Sequence, residues 1–177
     1  MLQARGAALT LLLIAFVCAC SESAPEASSA SATPAAAGET IFLALGGETF
    51  TLELALDPAT RQRGLGGRAR LPDNRGMLFA FRTPRSLAMV MRDCPAAIDV
   101  AFLDAEGRVV SLHSMPAEPP RRPGESALEY ESRLPIYPSG APAQFAIEVA
   151  GGRLAKLGVE VGTRIAFDAP ALAARAR

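Results

Sequence analysis

Arg92-Asp93-Cys94 is the densest group of chemically capable side chains in this sequence. It lies between two short apolar runs, residues 87–91 and 98–103, so it falls where a strand gives way to a loop. Binding and catalytic residues often sit at such junctions. An arginine beside a carboxylate can hold an anion or a polar ligand. The same pair can instead tie down a turn, with Asp93 accepting backbone N–H groups. Cys94 could serve as a nucleophile if a base or cation favoured its thiolate. His113 is the single histidine. Asp93 or Asp99 could orient it, giving a Cys-His-Asp set if neighbouring strands carry His113 to Cys94. The competing account is an inert, partly buried thiol.

Asp99 interrupts an apolar run, and a buried carboxylate there needs a hydrogen-bonding partner. Arg61, Arg75 and Arg92 are the candidate partners. Arg61, Arg75, Arg92, Asp93 and Asp99 therefore form the candidate polar-ligand group, against the alternative of a purely structural network. Glu148 alternates with Phe145, Ile147 and Val149, which places it on the outer, solvent-facing side of a strand. One His, one unmodified Cys and scattered carboxylates show no metal-ligand spacing, and no phosphate-loop or dinucleotide pattern is present. No metal and no cofactor are expected.

The elements that must position these groups are short. The runs 77–81, 87–91 and 98–103 are bounded by Pro, Asp, Arg or Gly and read as buried strands. Residues 41–45 and 49–56 flank Gly46-Gly47 as a hairpin. Asp57, Pro58 and Gly64 suit the cap, first position and end of a two-turn helix. A turn at 104–107 joins 98–103 to 108–114 as a second hairpin. Residues 115–124 are rich in proline and read as a stiff exposed loop, followed by one or two helical turns at 127–133. Residues 144–149 form a strand, 153–157 a short helix, and 164–167 a last strand. The predicted fold is mainly β: a compact antiparallel β sandwich or barrel with two short helices.

The amino-terminal residues point to a compartment. Arg5 precedes an apolar run over residues 7–19, too short to span a bilayer and suited to a signal peptide over residues 1–19. Val17-Cys18-Ala19-Cys20 resembles the bacterial lipobox, which implies lipidation of Cys20 and a membrane partner through that lipid. Ser21 after the cysteine points to the outer membrane, facing the periplasm. Residues 20–38 are then a lipidated cysteine and an Ala/Ser/Pro tether with no bulky apolar residue, spanning about 24 Å. Residues 39–168 form one domain, and the Ala-rich stretch 169–177 is expected to fray. Eighteen basic and eighteen acidic residues balance, which argues against a nucleic-acid partner.

Several segments together resemble the DUF192 family, a domain of unknown function. They are Arg61-Gln62-Arg63-Gly64-Leu65, Leu71 to Phe79, Met91-Arg92-Asp93-Cys94, Ile98 to Asp104, the Glu148 strand, and Gly158 to Arg164. The resemblance implies a small mainly-β sandwich or barrel, often behind a signal peptide, and carries no established activity. The family pattern usually has Met where Gly66 stands, and Phe-Trp-Met-Lys-Asn-Thr in place of residues 89–94. The proline-rich stretch 115–124 lengthens a loop that is commonly short. The resulting expectation is an envelope lipoprotein whose domain binds a small polar ligand or an envelope protein without catalysis. The alternative is an extracytoplasmic hydrolase or transferase using Cys94 or the Arg92/Asp93/Asp99 group.

Overall fold

A computed structural model describes residues 38–177. The signal peptide, Cys20 and the tether expected from the sequence lie outside these residues, apart from the tether's last residue, Gly38. The chain order is β1 (Thr40–Leu45), β2 (Glu48–Ala55), α1 (Pro58–Arg63), β3 (Arg75–Arg85), β4 (Ala88–Val90), β5 (Ile98–Leu103), β6 (Val109–Met115), α2 (Ala127–Arg133), β7 (Ile136–Pro138), β8 (Ala143–Ala150), α3 (Arg153–Lys156) and α4 (Ala169–Arg175). Six strands form one sheet in the order β1-β2-β3-β8-β5-β6, and β4 pairs with β7 in a small second sheet.

The fold is mainly β, and both predicted hairpins are present as antiparallel pairs. The sheet does not close into a barrel, and it is mixed rather than antiparallel: β2 and β3 run parallel. Parallel neighbours need a crossover of a dozen or more residues. Residues 56–74, with α1 inside them, supply it. Among the described residues four short helices replace the expected two. Segment 164–167 forms no strand; it contributes an isolated bridge from Arg164 to Arg108.

α1 forms as its sequence directs. Asp57 Oδ1 accepts the Thr60 N–H at 2.9 Å, and Pro58 opens the helix where no N–H is needed. α2 begins with a reciprocal capping box between Ser126 and Glu129. The stretch expected to fray is instead α4. Asp168 caps it by accepting the Ala171 N–H at 3.0 Å, and Leu172 and Ala176 are buried. Alanine is the best helix former, so one cap and one buried leucine suffice once a surface is there to receive them.

That surface is one face of the large sheet. Leu43, Phe50, Leu52, Leu78, Phe145 and Ile147 pack on it beneath Leu154 of α3 and Leu172 of α4. The opposite face carries Met77, Phe79, Val100, Phe102 and Ala146, covered by Leu65, Met91 and Cys94. β8 lies between β3 and β5 and is covered on both faces, so Ala143 through Val149 are all buried. Gly76 on β3 marks how closely these strands approach. A methyl group there would meet Glu148 O at 2.1 Å.

Candidate functional site

Glu148 is the residue the sequence pattern misplaced. Alternation puts it opposite Phe145 and Ile147, which is correct, but that second face is not solvent. Its register partners are Met77 on β3 and Val100 on β5, both buried. The Glu148 residue is 7% exposed, and its carboxyl makes no hydrogen bond within the described residues; its oxygens keep contact with solvent only through the cleft. Burial pushes its pKa up to about 7. A carboxyl in a poorly solvated position resists ionisation in this way. The available signal was a lone charge inside an apolar eight-residue strand.

The carboxyl lines a cleft of about 130 Å³. Phe79 and Glu148 belong to the sheet. The turn after α1 supplies Gly64, Leu65 and Gly66, and the opposite wall is Met89, Val90 and Cys94. Gly64 adopts φ 52° and ψ −138°, a combination essentially restricted to glycine. A methyl group on it would stand 3.6 Å from Phe79 Cζ and 4.0 Å from Glu148 Oε2. The glycine thus lets the chain turn and leaves the space over the carboxyl open. Arg61, Arg63 and Arg92 complete the lining.

These arginines differ in what they are already doing. Arg61 donates to Leu56 O at 2.8 Å, Ala80 O at 3.1 Å and Arg177 O at 2.5 Å, and its guanidinium lies over the Phe81 ring. It fastens α1 to β3 and to the end of α4. Arg92 forms a two-point pair with Glu131 of α2, one contact at 2.6 Å. Arg63 is exposed and has no ion-pair partner among the described residues. Arg75 is exposed at the start of β3 and does not line the cleft.

Asp93 is held as a turn. Its φ is 53°, its N–H donates to the Tyr130 hydroxyl at 2.9 Å, and its carbonyl accepts the Gly67 N–H at 2.7 Å. The left-handed conformation is one that Asp tolerates better than most residues. Asp99 lies on the other face of the sheet. It accepts Ser114 Oγ–H and the Leu154 N–H, each at 3.0 Å. Gly152 at the cap position of α3 has no side chain to offer, so Asp99 caps that helix from the sheet. No arginine among the described residues bonds it.

The structure does not assemble Cys94 with His113. The thiol donates to Arg92 O at 3.4 Å. The His113 Nε2 is 2.7 Å from Pro138 O, and its ring sits edge-on to Phe102 and Tyr137, tying β6 to β7. Burial, then the nearby charges of Glu148 and Asp93, push the Cys94 thiol from 9.0 up to about 11. Alkylation of Cys94 at pH 8 is therefore expected to run about 100-fold slower than that of a free thiol, and His113→Ala is expected to leave it unchanged. A rate equal to a free thiol's, or one that collapses in the variant, would contradict this geometry. Among the described residues no three His, Cys, Asp or Glu side chains converge as a metal site.

Fold and cleft together define a small mainly-β domain with a carboxyl at the floor of an arginine-rimmed cleft. The chain belongs to the DUF192 family, an uncharacterised group whose pattern matches residues 41–167. A crystal structure from Sinorhizobium meliloti 1021, of a protein provisionally named a transcription regulator, is 26% identical. It covers 72% of this chain and 92% of its own, with a TM-score of 0.58. A protein of unknown function from Novosphingobium aromaticivorans DSM 12444 shares the fold at 22% identity and a TM-score of 0.61, covering 76% of this chain and 90% of its own. No functionally curated protein matches the chain.

Proposed function

We propose that this protein is a lipid-anchored envelope lipoprotein whose DUF192 domain binds a small polar ligand in the Glu148 cleft. The envelope placement rests on the residue pattern leading to Cys20. The binding reading rests on one observation: a carboxyl with no hydrogen-bond partner among the described residues, on a residue only 7% exposed, opens onto a cleft. A carboxyl held in so little solvent and bonded by nothing in the protein is poised to meet a ligand. Val90 strengthens the reading. It lines the cleft at the position where the family pattern usually carries the much larger Trp. The regulator name of the Sinorhizobium protein is not carried over, because the balanced charge of this chain offers no footprint for nucleic acid.

The test is a screen of small polar molecules by amide chemical shifts on the full-length protein. Hits are expected to move Gly64, Gly66 and Cys94 and to lose affinity in Val90→Trp, which adds bulk to the cleft wall. Hits that map elsewhere, or survive that substitution unchanged, would defeat the proposal. The raised pKa of Glu148 also favours a second reading, general acid–base catalysis. It requires turnover of a cleft-bound molecule that Glu148→Gln abolishes.

A further inference from the structure

We infer that the cleft takes a small zwitterion of free amino-acid size, its ammonium on Glu148 and its carboxylate on the arginine rim. This deepens the binding reading above and rests on it. Once ionised, the Glu148 carboxylate only accepts hydrogen bonds, so a ligand that binds this form brings a donor. A neutral hydroxyl or amide would then leave the charge uncompensated, whereas an ammonium matches it with a charge-assisted bond. Among the described residues no cation pairs with Glu148. Arg61 lines the same cleft, but its guanidinium is spent on three carbonyl oxygens.

The rim asks for the opposite charge. Arg63 is exposed without an ion pair among the described residues, and Arg92 has only the solvent-facing Glu131. A carboxylate can compete for guanidinium groups in that setting, since exposed ion pairs are weak. Between floor and rim, Phe79 and Met89 offer apolar surface for a short carbon body. The volume sets the size. About 130 Å³ is close to the roughly 150 Å³ of a cavity that holds benzene, so a compact molecule of about six heavy atoms, such as alanine, fits. An anion alone would leave Glu148 bare, and an amine alone would forgo the exposed Arg63 guanidinium.

The probes are alanine, its two halves ethylamine and propionate, and two neutral molecules, propionamide and glycerol. Each is titrated into the full-length protein and followed by amide chemical shifts at Gly64, Gly66 and Cys94. Alanine is expected to bind about tenfold tighter than either half. It should weaken about tenfold or more in Glu148→Gln and severalfold in Arg63→Gln, with circular dichroism confirming that each variant is folded. Alanine affinity should also fall between pH 8 and pH 6 as Glu148 takes up a proton. The other charged or titratable groups facing the cleft are Arg61, Arg63, Arg92 and Cys94. Guanidinium groups keep their charge in that window, and the thiol keeps its proton. If propionamide or glycerol binds through Glu148 and alanine binds no better, the cleft is a ligand site but the zwitterion is wrong. If no probe moves the cleft amides at about 50 mM, at the weak limit of useful affinity, both readings fall.

Discussion

Glu148→Gln is expected to abolish most of the change in stability between pH 5 and pH 8. The physical cause is linkage. In the unfolded chain the carboxyl titrates near 4.5; in the folded protein burial raises this to about 7. The folded state therefore holds the proton more tightly. Stability from this group is fully present below pH 4.5, declines as pH rises, and is lost above about 7. The shift corresponds to about 3 kcal/mol. Glutamine keeps the shape and never ionises, so its variant should be nearly flat over this window. Urea unfolding at pH 5 and pH 8 measures it: the wild-type midpoint should drop by about 1.5 M on going to pH 8, at a typical slope for a domain of this size. Equal pH dependence in both proteins would mean that the cleft solvates Glu148 fully.

Below that window the sign reverses. Glu53 is held below the usual carboxylate range, first by its hydrogen bond to Arg68. Asp57 is held low by the Thr60 N–H, and Glu131 by Arg92. Each contributes stability present above its unfolded pKa and lost as pH falls through the folded one. The two trends together place the stability maximum on the acid side of neutrality. Glu148 is thus a group that weakens the fold at neutral pH. Proteins keep such groups where function needs them.

The second large effect is at Asp99. Asp99→Ala is expected to cost about 3 kcal/mol, because it removes two hydrogen bonds to a buried carboxylate and leaves the Leu154 N–H at the start of α3 without a partner. Asp99→Asn should cost about 1 kcal/mol. Its amide oxygen can still accept the Leu154 N–H, and its NH₂ can donate to Ser114 Oγ. Urea unfolding gives the energies, and amide exchange at residues 153–156 shows where the loss is felt. A cost below about 1 kcal/mol for the alanine variant would show that α3 does not depend on this cap.

The contrast between these two carboxylates shows how far the sequence could be read. Both interrupt apolar runs, and both were visible as anomalies. The sequence offers Asp99 the partners Arg61, Arg75 and Arg92, yet it meets a serine and a backbone N–H on the opposite face from the cleft. Alternation directs Glu148 to solvent, yet it lies at the cleft floor. The failure has one cause. Strand alternation tells which residues share a face, not what covers that face, and β8 is covered on both sides.

Local chemistry fixed much of the rest. Asp57-Pro58 starts α1, Ser126 and Glu129 start α2, and Gly46-Gly47 closes the first hairpin, because caps and turns are satisfied by residues a few positions apart. The ordered set of short motifs was enough to indicate the DUF192 family. Only the tertiary structure decided that β2 and β3 run parallel, that Ala169–Arg175 docks as a helix, and that Cys94 and His113 are bonded to different carbonyls. Those outcomes depend on pairings between segments tens of residues apart, whose energies come from burial against one another rather than from any property of either segment alone.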